Sequence, residues 1–205
     1  MSTTVHLLDD DAAIRDALTQ LLATVGWQVK AYASEQAFLS GNATLSALTG
    51  CLLLDIRMPG KSGLMLLDEW RQRGMDIPVI IMTGHANIEL CRRAFKSGAC
   101  EFLTKPIDAD VLFEVVGSAL TEHAAQLTEK RQQQRLQDKM AALTAREREV
   151  LHLLMQGEPG KVIARQLSLS PRTVEAHRAS IFSKLEVNSL PRLIHIYSVA
   201  LPGLA

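Results

Sequence analysis

Cysteine is scarce in this 205-residue chain, represented only by Cys51, Cys91 and Cys100. An odd number without CxxC spacing excludes a disulfide framework and offers no zinc-binding pattern. The three are expected as reduced core thiols of a cytoplasmic protein. No apolar run approaches the roughly 18 residues of a membrane span. The start, MSTTVHLLDDD, also lacks the basic segment and apolar core of a secretory signal. Net charge is missing as well, at +0, while the 47% hydrophobic content is ordinary for a globular chain. The zero hides an asymmetry: up to Ser118 there are 10 Lys and Arg against 14 Asp and Glu, and beyond it 12 against 8. An acidic first half followed by a basic second half points to two domains, with any polyanion met by the second.

What is present is organised around CLLLDIRMPG, Cys51 to Gly60. Its apolar run reads as a strand buried on both faces, so Asp55 sits at the carboxyl end of a strand. Open α/β sheets place their ligand crevice there. Met58-Pro59-Gly60 then forces a loop, because proline fixes φ and glycine opens positive φ.

Similar units precede and follow. Val5 to Leu8 reads as a strand, and Ile14, Leu18, Leu21, Leu22 and Val25 fall at helical spacing before Gly26. Trp27 to Tyr32 reads as a strand, and Ser34 as the cap of a helix carrying Phe38 and Leu39. After Asp55 come a helix from about Leu64 to Arg73, a strand Pro78 to Met82 and a helix near Ile88 to Ser97. A strand Cys100 to Leu103 and a helix from about Asp108 close the series. Alternation of this kind predicts an α/β doubly wound five-stranded parallel sheet.

In such a sheet the strand ends share one edge, so Asp9, Asp10, Asp55, Thr83-Gly84 and Lys105 converge. Three close carboxylates repel one another unless a cation joins them, and oxygen-only ligation favours Mg²⁺. An aspartate beside Mg²⁺ and a lysine is arranged to attack phosphorus.

The Asp9-Asp10 pair, Asp55 with DxxMPG, Met82-Thr83-Gly84 and Lys105-Pro106 together resemble the receiver domain of bacterial two-component response regulators, a flavodoxin-like fold. The resemblance implies that Asp55 accepts phosphate from a cognate histidine kinase. It further implies that Asp10, Asp55 and the main-chain carbonyl of Arg57 bind Mg²⁺ (or Mn²⁺), with Asp9 acting through metal-bound water. Thr83 and Lys105 would contact the phosphoryl group and Gly84 would leave it room. Thr83 and Phe102 would form the switch, and Lys105-Pro106 would be a cis peptide. Arg57 and His85, each two residues past a key position, would tune phosphate lifetime.

Thr121 to Lys139, rich in Gln, Glu, Lys and Arg and free of Pro and Gly, reads as a solvated spacer helix. Beyond it, Thr144-Ala145-Arg146-Glu147 matches a capping box ahead of Val150, Leu151, Leu154 and Met155. A short helix is expected over Lys161 to Leu167, and Ser170-Pro171 marks the start of another. On that helix Val174, His177, Ile181 and Leu185 share one face, while Arg172, Ala176, Ala179 and Ser183 point the other way. Two short helices with a tight turn suit a helix-turn-helix.

LTAREREVLHLL, KVIARQLSLSPRTVEAH and KLEV resemble the all-α, four-helix LuxR-type DNA-binding domain. The whole chain is thus similar to a response regulator of the FixJ/NarL group, FixJ-like in particular. The domain boundaries implied are 1–119 for the receiver, 120–140 for a helical linker and 141–205 for the helix-turn-helix domain. The helix from Pro171 would enter the major groove of promoter DNA. Arg172, Glu175, Ala176 and Ala179 are candidates to meet base edges, with Thr173 also in the DNA-facing set. Lys161, Arg165, Arg178 and Lys184 are candidates for phosphates. Leu190, Leu193, Ile194 and Tyr197 form a stripe on the last helix, where the resemblance implies dimerisation; the alternative is that the stripe completes the domain's core. Glu158 and Gly160 depart from the family pattern, which expects an apolar residue and Asn there.

The function expected is phosphorylation-dependent homodimerisation and control of transcription, with RNA polymerase a further partner and no membrane involved. The chain is not expected to be an enzyme beyond accepting its own phosphate and slowly losing it. A phosphatase of the haloacid-dehalogenase kind would need an acid where Arg57 stands. The alternative is a regulator that binds DNA regardless of phosphate, its receiver vestigial.

Overall fold

The computed structural model describes residues 4–85 and 87–200, with 198–200 in backbone only. The chain divides into two compact units, Met1–Leu127 and Thr128–Ala205.

The first unit alternates strands and helices: β1 (Thr4–Leu8), α1 (Ala12–Thr24), β2 (Gln28–Tyr32), α2 (Glu35–Gly41), β3 (Cys51–Asp55), α3 (Gly63–Gln72), β4 (Val79–Thr83), α4 (Ile88–Lys96), β5 (Glu101–Thr104) and α5 (Ala109–Ala141). All strand pairs are parallel, in the order β2-β1-β3-β4-β5. Every residue of β1, β3 and β4 is buried, as their continuous apolar runs require of interior strands. β2 and β5 lie at the edges and are exposed or half-buried except for Leu103.

Alternation along the inner strands divides the core in two. Leu8, Leu52, Leu54, Val79 and Ile81 face one layer, with Phe38 and Trp70 stacked at 4.6 Å. Val5, Leu7, Cys51, Leu53, Ile80 and Met82 face the other, against Leu18, Leu22, Leu112 and Val116.

Side-chain caps set the helix starts. Asp11 accepts from Ala13 and Ile14 at α1, Ser34 from Ala37 at α2, Ser62 from Met65 at α3 and Asn87 from Leu90 at α4. β2 begins one residue later than expected because the Trp27 amide is still bonded to Leu22 O of the preceding helix. A short 3₁₀ turn at Leu45–Ala47, unforeseen in the sequence, buries Leu45 ahead of β3.

α5 runs well past the first unit's core. Its Ala119 and His123 are buried, and its Leu136 and Met140 pack against the core of the second unit. The helix is therefore exposed at every position only from 128 to 135, a shorter solvated stretch than the spacer read from composition.

The second unit adds α6 (Ala145–Met155), α7 (Gly160–Gln166), α8 (Pro171–Lys184) and α9 (Leu190–Ala200). Thr144 and Glu147 form the reciprocal capping box of α6, and Ser170 caps α8 with Pro171 in its first turn. Among the described residues no helix is long and apolar enough to cross a membrane.

Candidate functional site

The parallel sheet brings the ends of β1, β3, β4 and β5 to one edge, and the acidic residues meet there. Asp9, Asp10 and Asp55 offer carboxylate oxygens within 4.8 Å of one another. Asp9 and Asp55 are buried and Asp10 is exposed. Lys105 lies between the buried pair, its Nζ 2.6 Å from Asp9 Oδ2 and 2.7 Å from Asp55 Oδ1. The peptide before Pro106 is cis, as expected.

The carboxylates are oriented by backbone amides. Arg57 N donates to Asp55 Oδ2 at 2.9 Å, and Asp11 N donates to Asp9 Oδ1 at 2.9 Å. Burial pushes the Asp55 carboxyl above the usual carboxylate range, against the pull of the Lys105 ammonium. Burial alone would lower Lys105, but its hydrogen bonds to Asp55 and Asp9 outweigh that and keep it charged. One ammonium against three carboxylates leaves a surplus of negative charge. All-oxygen donors around that surplus fit a small hard dication of the Mg²⁺ or Mn²⁺ kind.

Thr83 is fully buried at the end of β4, and its Oγ1 accepts from His85 N at 3.3 Å. A Cβ on Gly84 would meet nothing within 4 Å, so the space beside it is open. Arg57 and His85 are exposed. Phe102 is half-buried in β5, opposite Ile81, and packs against the Trp70 side of the core.

Two supporting residues escaped the sequence reading. Arg15 on α1 donates to the Asp9 carbonyl at 2.7 Å and holds the β1–α1 turn. Gly63, the first residue of α3, passes directly beneath the end of β3 and donates its N–H to Ile56 O. A basic residue one helical turn past an acidic strand end was the available signal for Arg15. Gly63 had no signal beyond its identity.

In the second unit α7 and α8 form the expected helix pair, with Leu167 capping α7 and Ser168 in the turn. Arg172, Glu175, Ala176, Ala179 and Ser183 are exposed on α8, and Lys161 and Arg165 are exposed on α7. Thr173 is half-buried and bonded through its hydroxyl to Ser170 at 2.8 Å. Arg178 is half-buried, its guanidinium 5.4 Å above the Phe182 ring. His177 is half-buried.

Two expected sites have partners inside the second unit. Lys184, expected near a phosphate, has its Nζ bound at 2.7 Å to Glu147 Oε2, with its side chain 34% exposed. In the supposed dimerisation stripe, Leu193 and Tyr197 are core residues, 0% and 1% exposed, and Tyr197 OH donates to Leu185 O. Leu190 is half-buried against the same core, so of the four only Ile194 is an exposed apolar side chain. The apolar spacing of α9 is met by packing against α6 and α8.

Comparison with known proteins agrees with this division. Residues 5–117 match the response regulator receiver domain family, and residues 141–197 match the family of bacterial regulatory proteins, luxR family. The chain is 40% identical over 199 residues to the transcriptional regulatory protein FixJ of Azorhizobium caulinodans, covering 97% of this chain and 93% of that one. The solved structure of the response regulator StyR superposes with a TM-score of 0.90 at 35% identity, covering 96% of this chain and 98% of that one. Full-length FixJ from B. japonicum superposes with a TM-score of 0.59 at 36% identity, covering 96% of each chain. A receiver-type acidic pocket at one sheet edge and a LuxR-type helix pair therefore occur in one chain, which belongs to the FixJ-like two-component response regulators that control transcription.

Proposed function

We propose that Asp55 is the phosphoacceptor of this regulator and that its phosphorylation promotes pairing of two chains on promoter DNA. The observation that carries the reading is Lys105, whose ammonium is shared by Asp9 and Asp55 at the strand ends. A lysine so held can neutralise incoming phosphoryl oxygens while the carboxylate beside it attacks. An oxygen of Asp55 bonds to the phosphorus of a kinase phosphohistidine. The P–N bond breaks, its electron pair returns to the imidazole, and the ring takes up a proton. Asp10, Asp55 and the main-chain carbonyl of Arg57 would hold Mg²⁺ or Mn²⁺, with Asp9 beside them. That ion would offset charge on the transferring group. Thr83 would meet the phosphoryl group and Gly84 would leave it space, with Phe102 following Thr83 inward. Arg57 and His85, exposed at the rim, would set how quickly water reaches the acyl phosphate.

The segments 1–119, 120–140 and 141–205 would then serve as receiver, helical linker and DNA-binding domain. Pairing would use the face of α4 and β5, where Ile88 is 83% exposed and Phe95 49% exposed. On α8, Arg172, Glu175, Ala176 and Ala179 would meet base edges, with Lys161, Arg165 and Arg178 near phosphates. A regulator seated on a promoter would act in the cytoplasm and would meet RNA polymerase there.

The test is sedimentation with and without Mg²⁺ and beryllofluoride, alongside intact-mass analysis after treatment with acetyl phosphate. The expected outcome is a monomer-to-dimer shift and gain of one phosphoryl group, both lost in Asp55→Ala. A chain that gains phosphate equally in Asp55→Ala, or never changes its association state, would overturn the reading.

A further inference from the structure

Glu147 is a buried charge in a small helical core, 4% exposed. Its Oε1 accepts from Ser180 Oγ at 2.7 Å, and its Oε2 from Thr144 N at 2.8 Å and Lys184 Nζ at 2.7 Å. Lys184 foremost, then Ser180, hold the carboxyl down to about 2, well below its ordinary value. The neighbouring Arg146 donates through Nη2 to Leu167 O, the carbonyl at the end of α7, and through Nη1 to Glu149.

Buried ion pairs seldom add net stability over an apolar replacement. What they can supply is position. Ser180 and Lys184 are four residues apart and so lie on one face of α8, one turn from each other. Arg172, Ala176 and Ala179 are on its exposed side. Gripping a helix at two points a turn apart fixes its rotation and its place along its axis together. A slip of one residue would turn α8 by about 100° and move it about 1.5 Å, breaking both bonds. A rotation of only about 20° would swing a side chain about 5 Å from the axis by nearly 2 Å. That exceeds the tolerance of a hydrogen bond to a base edge.

We propose that Arg146 and Glu147 are positioning residues for DNA recognition. Glu147 sets the rotation and axial register of α8 through Ser180 and Lys184, and Arg146 fixes the α7–α8 turn through the Leu167 carbonyl. The inference rests on the reading of α8 as the groove helix. It assigns Lys184 a role inside the protein.

The experiment uses the full chain and a duplex enriched by the wild-type protein from a random-sequence library, with a scrambled duplex as reference. Binding to both is measured across a salt series, well below the unfolding transition, with helix content followed by circular dichroism. Glu147→Gln and Lys184→Met should each weaken the enriched duplex about tenfold or more, which is within the range of one lost base contact. The scrambled duplex should be little affected and the salt slope unchanged. Ser180→Ala, which removes one grip and leaves the ion pair, should show a smaller loss of the same kind and keeps the test readable if a charge variant unfolds.

A slope in Lys184→Met reduced by about 0.9, with both duplexes weakened equally, would make Lys184 a phosphate contact and overturn the proposal. A lowered unfolding midpoint with unchanged binding to both duplexes would also overturn it, leaving only a structural role. Failure of the wild-type chain to enrich any duplex would sink the DNA-binding reading itself, and the inference with it.

Discussion

Gly63 lies so close beneath Asp55 that a Cβ on it would stand 2.2 Å from the Asp55 carbonyl oxygen and 3.1 Å from the Ile56 Cα. Both neighbours are backbone, so neither can give way without moving the end of β3 or the start of α3. Gly63→Ala should destabilise the first unit by about 1–3 kcal/mol, the usual cost of overpacking. It should also slow phosphorylation of Asp55 about tenfold or more, because displaced reacting groups lose rate steeply. Gly60→Ala is the control: φ is +93° there, yet nothing lies within 4 Å of the added Cβ. It should cost about 1–2 kcal/mol of backbone strain and leave the phosphorylation rate near wild type. Urea unfolding and intact-mass time courses with acetyl phosphate measure both.

Such close approaches explain what the sequence could and could not reveal. Asp55, Thr83 and Lys105 were legible because each ends or follows an apolar run, and a parallel sheet sends all those ends to one edge. The caps at Ser34, Thr144 and Ser170 were legible because capping chemistry is local. Gly63 was not, since its requirement comes from another strand's carbonyl and leaves no pattern in its own neighbours. Lys184 was read as a surface cation because its partner Glu147 lies 37 residues away. Leu193 and Tyr197 show the same limit: apolar spacing on α9 marks a buried face without telling a core from an interface.

Lys105 bridges two buried carboxylates, so its removal should expose their repulsion. Lys105→Met should lower the unfolding midpoint in metal-free buffer, since breaking a buried pair leaves uncompensated charge. Added Mg²⁺ should restore more of that loss than it adds to the wild type, because a dication would take over part of the ammonium's screening. Thermal unfolding across a Mg²⁺ series measures this. Equal Mg²⁺ increments in both proteins would count against a metal held by Asp9, Asp10 and Asp55.

His6 gives the first unit a pH dependence of its own. The ring is buried at the centre of β1, with Nε2 3.3 Å from Thr49 O and Nδ1 3.4 Å from Tyr32 OH. Thr49 O can only accept, so Nε2 carries the proton and Nδ1 accepts from Tyr32, whose oxygen in turn accepts from Asn42 Nδ2 at 3.0 Å. Protonating Nδ1 would set two donors against each other. Burial lowers the His6 pKa below its ordinary 6.5, the Thr49 bond opposes this, and Lys30 on β2 lowers it further. The unfolded chain therefore binds the proton first. Stability should be level above about pH 6.5 and fall as pH drops below that, until the folded state also protonates. Urea midpoints between pH 8 and 5 should show the decline in the wild type and a flatter profile in His6→Gln.

Among the described residues, two outside glycine hold left-handed backbone, Ser168 and Glu186, each at φ +53°. Ser168 lies in the α7–α8 turn and Glu186 follows α8, positions where helices commonly end on glycine. The left-handed conformation costs an L-residue about 1–2 kcal/mol, part of which a glycine returns through its greater freedom when unfolded. Ser168→Gly should therefore stabilise the second unit by about 0.5–1 kcal/mol. Glu186→Gly relieves the same strain but also removes the pair with Lys139 at 2.6 Å, in which the Glu186 side chain is 73% exposed. An exposed pair contributes about 0–1 kcal/mol, so the two effects should nearly cancel. Urea unfolding followed by the helical signal should separate the variants, with Ser168→Gly above wild type and Glu186→Gly close to it. Raised salt should move Glu186→Gly upward relative to wild type, because screening weakens the Lys139 pair in the wild type alone.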